Sequence, residues 1–292
     1  MRPEDLHWIP PAAPRDARLA PVEVQWLGTA GFALRSGDTT ILVDPYVTRA
    51  SFARCATGAI ASAYHQWRSY VPRADAIVVG HTHFDHVLDV PAIASAHGAH
   101  VYGSRSAARL CLAQGVPAAL VHDVEADTSA GRTVTTAIGP FEISFVPSAH
   151  SPLLLGRVPF PGELSDCDAL PMRVQRYRCG AVFSARIAVA GRVIYHLGSA
   201  ELLDQQLRPE SVDLLLFCVA GWTTSTRLPY RVSRALAPRT VLLSHWDDFF
   251  RPLSEPARML PAMRMPALVD SLVRESRDTS VVTLPLMGRL WL

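Results

Sequence analysis

Four candidate metal ligands fall within one short stretch, Gly80-His81-Thr82-His83-Phe84-Asp85-His86. Imidazole nitrogen and carboxylate oxygen bind borderline divalent cations such as zinc, with manganese or iron also compatible, and no thiol is required. In an extended segment, residues two apart project to the same side, so His81 and His83 are expected to point together. Asp85 and His86 stand where the chain should turn into a helix, and a turn can direct adjacent side chains to a neighbouring cation. His150 and His245 each follow a strand-like run, 141–146 and 240–243, and strand ends are where a scaffold delivers side chains rigidly to a shared cleft. Such a set can activate water and polarise an electrophilic carbonyl or phosphoryl group.

The segments around these ligands have the period of strands. Val22 to Leu27 alternates and stops at Gly28-Thr29-Ala30-Gly31. Phe32 to Arg35 and Thr40 to Val43 continue the pattern across a turn at Ser36-Gly37-Asp38. Asp44-Pro45 ends the third run, because a residue before proline is kept out of the helical region. Ala76 to Val79 is a compact apolar strand leading straight into the histidines. Further strands are expected near Val101 and over 134–138, 141–146, 212–219 and 240–243, with a hairpin, 182–189 and 192–197, about Ala190-Gly191. An edge strand is expected over 280–286. Helical character marks 87–97, 104–114, 201–207, 230–237 and 268–277.

No composition break divides the chain, so one α/β (α+β) unit is expected over 22–292: a four-layer αββα sandwich with helices outside two sheets. A three-layer open sheet is the alternative. Residues 1–21, rich in Pro and Ala, read as an irregular arm. Segments 46–73 and 151–180 are poorly periodic, and loops of that length usually cover a site.

The 28 basic and 26 acidic side chains leave a formal charge of only +2. That gives no general electrostatic reason to bind nucleic acid or an anionic membrane. No apolar run approaches the ~20 residues of a membrane span, and the start lacks the pattern of a secretory signal. Five cysteines, at 55, 111, 167, 179 and 218, form no CxxC pair. Their odd number argues against a disulfide framework and for a reducing, cytoplasmic location, with Cys167 and Cys179 the pair to inspect. Gly28-Thr29-Ala30-Gly31 completes no dinucleotide or phosphate-loop fingerprint. The expected partner is a small molecule, and a homo-oligomer is left open.

With the motif His81, His83, Asp85, His86 in HxHxDH spacing, the chain resembles the metallo-β-lactamase superfamily over roughly residues 22 to 250. Trp26-Leu27-Gly28-Thr29-Ala30-Gly31-Phe32 and Leu42-Val43-Asp44-Pro45 resemble the branch containing ascorbate-phosphate lactonases and N-acyl-phosphatidylethanolamine phosphodiesterases. The resemblance implies a first metal on His81, His83 and His150 and a second on Asp85, His86 and His245. It also implies a bridging carboxylate in a Gly-Asp pair after a strand. Here Tyr195-His196-Leu197-Gly198-Ser199 puts the hydroxyl of Ser199 in that place. Two outcomes follow: one metal on three neutral imidazoles, or a replacement carboxylate from Asp247, Asp248 or Glu201, of which Asp247 is favoured by its spacing from His245. Without the bridge, a two-metal centre carries more positive charge and favours an anionic substrate.

The expected reaction is hydrolysis of an ester, lactone or phosphodiester by metal-bound hydroxide. Asp85 orients the nucleophile or takes its proton, and His196 steadies a developing oxyanion. Arg157, Arg173, Arg176 and Arg178 are candidates to grip a phosphate or carboxylate. Leu153, Leu154, Leu155 and Phe160 offer apolar contacts, and Tyr64, Trp67 and Trp222 are candidate walls. Two rivals stand beside this reading. A non-hydrolytic metal-binding or ligand-sensing protein is supported by Ser199. An iron oxidoreductase usually keeps a carboxylate at that place.

Overall fold

Short apolar runs bounded by Gly, Asp and Pro become strands of two seven-stranded sheets in the computed structural model, which describes residues 2–8, 19–128, 133–153, 156–165, 167 and 171–292. The first sheet runs in the order Arg289–Trp291, Glu23–Gly28, Gly31–Ser36, Thr39–Val43, Ala76–Val78, His100–Gly103, Val121–Asp123. The second runs Ser280–Val282, Thr240–Ser244, Leu214–Cys218, Arg192–Leu197, Val182–Val189, Phe141–Ser148, Val134–Ile138.

Strand alternation sorts side chains between two cores. Val24, Trp26, Phe32, Leu34, Ile41 and Val43 share a buried cluster with Phe145, Ile187 and Ile194 of the second sheet. Their neighbours Leu27, Ala33, Leu42 and Ile77 belong to a second cluster, with Ile93 and Leu110 of the helices Val90–His97 and Arg105–Ala113. Val232, Leu236, Leu268 and Leu272, from helices Leu228–Leu236 and Met265–Glu275, pack with Leu215 and Leu243 of the second sheet's cluster. Helices therefore lie outside two facing sheets, the expected αββα order. Full burial of each large apolar side chain supplies about 1.5–3 kcal/mol, so both cores hold the strand ends rigidly.

Helix boundaries follow local chemistry. Ser104 caps Arg105–Ala113 by accepting the Ala107 N–H. Gly98, at φ 63°, closes Val90–His97 in the left-handed conformation. The helical run expected over 87–97 starts within the histidine motif, as Phe84–Val87, and resumes at Val90.

Three expectations change. Between 201 and 207 there is only the 3-10 turn Asp204–Gln206. Arg231 binds the carboxylates of Glu201 and Asp204 and the Leu202 carbonyl, satisfying this segment without a helix. The edge run over 280–286 stops at Val282, and a turn in which the Gly288 N–H bonds the Pro285 carbonyl sends the chain to the other sheet. There Arg289–Trp291 pairs with Glu23–Gln25, a strand the pattern did not show. Of the arm at 1–21, residues 9–18 lie outside the described residues, while Pro3–Leu6 is a 3-10 turn followed by a bridge from His7 to Thr283.

The two segments expected to cover a site meet each other. Ala59–Ile60 pairs with Met172–Arg173 in a short antiparallel ladder. All five cysteines are buried. Among the described residues, no helix is long and apolar enough to cross a membrane.

Candidate metal centre

Adjacent parallel strands release their chain at one edge of the molecule. Thr39–Val43 pairs in parallel with Ala76–Val78, matching Val43 to Val78, so Asp44 and Gly80 emerge side by side. The Gly80 N–H donates to Asp44 Oδ1 at 2.6 Å, and a Cβ on Gly80 would stand 2.9 Å from Asp44 Oδ2. Glycine therefore permits the close approach from which His81 starts. From the second sheet, Phe141–Ser148 leads to His150, and Thr240–Ser244 leads to His245.

His81, His83 and His150 form one group of candidate ligands, and Asp85, His86 and His245 form another. Within each, one ligand atom per residue lies within 4.8 Å of the others. The first three rings sit with centroids 4.7–4.9 Å apart, and His81 Nε2 is 3.0 Å from His83 Nδ1. His245 Nε2 is 3.2 Å from Asp85 Oδ2. The groups adjoin, with the rings of His81 and His86 centred 3.9 Å apart.

Three ligand rings have their outer nitrogen engaged. His83 Nε2 meets the Pro159 carbonyl at 2.8 Å, His150 Nδ1 the Ser151 carbonyl at 2.7 Å, and His86 Nδ1 the Asp44 carboxylate at 2.9 Å. Each acceptor fixes the N–H on the outer side and leaves the lone pair of the other nitrogen facing its group, the arrangement that metal-bound histidines generally have.

Electrostatics favours neutral rings at His81, His83 and His150. Burial, reinforced by the neighbouring imidazoles, depresses His81 well below the ordinary histidine range and His150 to about 4, so both rings stay neutral. His83 is also lowered, by burial against the pull of Asp85. Burial works against the charge of Asp85, yet the hydrogen bond from His245 and the surrounding histidines outweigh it and keep the carboxylate ionised. For His86, burial is overcome by Asp44 and Asp85, and the net direction is upward. Lone pairs and an ionised carboxylate facing inward are the donor set a divalent cation requires, so these residues fit a metal.

The remaining predicted residues are placed differently. Asp247 is not brought to either group. Its buried carboxylate accepts the Thr29 N–H at 3.0 Å and lies 2.7 Å from Arg49 Nη2. The cause is the backbone: His245 has φ 56°, which swings the following residues toward the Gly28–Gly31 turn. Asp248 accepts the Phe250 N–H, and Glu201 is held by Arg231, so neither joins the groups. Ser199 Oγ donates to the Ala149 carbonyl at 2.9 Å. His196 is buried behind the cleft, with Nε2 3.1 Å from the Ala30 carbonyl and its ring edge-on to Phe32. That is a core position, at variance with an oxyanion contact.

Trp67 is likewise core, 1 % exposed, and cannot be a wall. Trp222 donates its Nε1–H to the Met263 carbonyl, and Tyr64 is exposed against Arg68. Arg157, Arg173, Arg176 and Arg178 are exposed, Arg173 in the ladder with Ala59. The segment 151–180 reaches the centre through the Phe160 ring, edge-on to His83 with centroids 6.4 Å apart, and through backbone: besides Pro159, the Arg178 and Cys179 carbonyls accept from Thr82. Leu154 and Leu155 lie outside the described residues.

Sequence reasoning missed Asp44 and Arg49. The sequence places Asp44 at a strand end and in a segment that carries the branch resemblance but gives it no role at the site, although a carboxylate at that end, one strand over from a histidine motif, is a signal for a histidine partner. Arg49, with its side chain 1 % exposed, had no such signal.

The paired groups of candidate ligands at the common edge of two sheets form a candidate metal centre on an αββα sandwich. Residues 23–245 match the model of the beta-lactamase superfamily domain, and the chain belongs to that superfamily. It is 26 % identical over 264 residues to a metal-dependent hydrolase of Anaeromyxobacter sp. (strain K), covering 87 % of this chain and 84 % of that one. A metal-dependent hydrolase of Pelotomaculum thermopropionicum is 26 % identical over 246 residues, 83 % of this chain and 92 % of its relative. Among solved structures, the metallo hydrolase Igni18 of Ignicoccus hospitalis superposes with a TM-score of 0.58 at 14 % identity, over 93 % of this chain and 98 % of its own. CmlA, a diiron β-hydroxylase of Streptomyces venezuelae, gives 0.56 at 16 % identity over 93 % and 54 %. At such identities the two structures share the fold alone.

Proposed function

We propose that the chain is a metal-dependent hydrolase of carboxylic esters or lactones, with phosphodiesters as the alternative substrate class. The observation carrying this reading is the adjacency of two three-ligand groups whose lone pairs face inward at the sheet edge. Membership in the superfamily and similarity to metal-dependent hydrolases support it. The likeness of the 26–32 and 42–45 segments to the lactonase and phosphodiesterase branch supports the substrate classes.

His81, His83 and His150 would hold one ion, and Asp85, His86 and His245 the other, with zinc the preferred metal. A bound divalent ion acidifies a coordinated water and polarises the group under attack. The chain's own residues do the rest. Asp44 keeps the His86 proton on Nδ1, and Pro159 and Ser151 do the same for the outer nitrogens of His83 and His150. Asp85, ionised and 3.2 Å from His245, is placed to accept a proton from the attacking water.

On this reading Ser199 stands where the superfamily has a bridging carboxylate, and its hydroxyl is turned to Ala149. Asp85 is then the single carboxylate in the two groups. Two divalent ions against one carboxylate leave excess positive charge, which favours substrates that develop negative charge on oxygen.

The test is metal content of the purified protein, together with hydrolysis of a panel of esters, lactones and phosphodiesters before and after chelation. We expect one to two equivalents of metal and turnover of ester or lactone that chelation removes and added zinc restores. Turnover indifferent to chelation would refute the reading. Tightly bound metal with no turnover across the panel would favour a sensing role instead.

A further inference from the structure

A connected set of aromatic rings runs from the second ligand group to the surface. The Phe249 ring is edge-on to His245, with centroids 5.3 Å apart. Phe250 follows at 4.5 Å from Phe249, and Phe52 stands edge-on to Phe250 at 5.3 Å. Beneath them lies Phe84, inside the histidine motif, at 6.2 Å from Phe249 and 6.5 Å from Phe250, and Tyr46 supports both Phe84 and Phe249. Tyr46 and Phe84 are buried and Phe249 and Phe250 half-buried, while Phe52 is 67 % exposed.

Phe52 opens a short helix capped by Ser51 and leaves most of its ring exposed at the outer end of this path, edge-on to Phe250. Of the arginines nearest in sequence, Arg49 is paired with Asp247 and Arg251 with Glu255, while Arg54 is exposed and donates its Nε–H to the Ala59 carbonyl. The side chain against His245 is the Phe249 ring, and the faces and edges of the connected rings suit a flat apolar group.

We propose that Phe52, Phe250 and Phe249 form a subsite for an aryl or similarly planar apolar portion of the substrate. The bond to be cleaved then lies toward the ligand groups, and Phe84 and Tyr46 act as its rigid backing. The proposal deepens the hydrolase reading and rests on it for the word substrate. Its ligand is a carboxylic acid derivative with an aromatic group a few bonds from the carbonyl, rather than a small polar phosphate ester.

Zinc-loaded protein should be titrated calorimetrically with 4-phenylbutanoate and with butanoate, which share a carboxylate and differ in the ring. The aryl acid should bind about tenfold tighter or more. Phe52→Ala and Phe250→Ala should each shrink that preference about threefold or more, with zinc content and butanoate affinity unchanged. Phe52 is exposed, so its variant keeps the test valid should Phe250→Ala misfold. Equal affinities for the two acids, no binding of either, or a preference untouched in Phe52→Ala overturns the proposal. Hydrolysis of methyl 4-phenylbutanoate against methyl butanoate separates the two ideas. Selective binding without turnover retains the subsite and removes the ester-hydrolase reading, and turnover without aryl preference removes the subsite.

Discussion

Asp44→Asn is the substitution that isolates the role of a residue outside both ligand groups. Asp44 is fully buried and divides its two oxygens between the Gly80 N–H at 2.6 Å and His86 Nδ1 at 2.9 Å. Asparagine has nearly the same shape but carries one acceptor and one donor group. Its oxygen must stay on Gly80, whose N–H has no other tautomer, so its NH2 faces His86. To avoid two opposed donors, His86 must move its proton to Nε2, the nitrogen 4.0 Å from Asp85 Oδ2, which then has no lone pair to give a cation. Changing such an orienting partner weakens metal affinity by roughly 10–100-fold, or about 1.4–2.8 kcal/mol. The effect should be confined to the group containing His86. Competition with a chelator in a stepwise zinc titration resolves the two affinities, and a thermal melt establishes that the variant is folded. We expect the weaker affinity to fall by one to two decades, and the affinity assigned to His81, His83 and His150 to change less than threefold. Two unchanged affinities, or two that fall equally, would refute this account of His86.

The other predictions concern stability. Arg49→Met leaves Asp247 with the Thr29 N–H and no counter-ion in a buried place. Breaking a buried pair from one side costs about 3–5 kcal/mol, so the denaturant midpoint should drop sharply, and adding Asp247→Asn should recover part of the loss. An unchanged midpoint would mean that the pair is solvated. Metal-stripped protein should also lose stability in acid because of its buried neutral imidazoles. His150, held near 4 by burial and by His83, has an ordinary value of 6.5 when unfolded. The unfolded chain therefore binds more protons between those values, and stability falls as pH drops from about 6.5 to 4, by about 3 kcal/mol in all. Urea unfolding across that window, compared with His150→Gln, measures it. Identical pH slopes for the two proteins would contradict the assignment.

The six candidate ligands were legible because two local signals coincide: donors crowded into one heptapeptide, and single histidines just beyond apolar strands. The sheets were legible because alternation sends Trp26 and Phe32 to one core and Leu27 and Ala33 to the other. What failed depended on register and backbone direction. Asp44 reaches His86 only because Val43 pairs with Val78, a choice made between strands and invisible within either. The partner of His83 is the Pro159 carbonyl, and a backbone oxygen leaves no residue type to find. Asp247 lies two residues from a ligand in sequence, yet the left-handed backbone at His245 turns it to Thr29 and Arg49. Trp67 was ambiguous for another reason: an aromatic ring in a short helix serves equally as wall or core, and only the fold decides.

The same geometry bears on the balance of charge at the centre. Asp247, Asp248 and Glu201 are the acids the sequence offered as replacements for a bridging carboxylate, and each has at least one carboxylate oxygen engaged elsewhere. If the centre fills with two ions, negative charge beyond Asp85 must then come from what binds there. The aromatic wall next to His245 makes that contribution count for more. Apolar rings exclude water, and the attraction between a cation and an oxygen bearing partial negative charge strengthens as the effective dielectric falls. An ester or lactone carbonyl gains negative charge only as it is attacked, so a cationic centre beside the Phe249 ring would favour the transition state over the neutral ground state. A phosphodiester already carries its charge when it binds, and the same surplus would hold the ground state as well. This difference, rather than any count of arginines on the covering loops, is the physical ground for placing carboxylic substrates first.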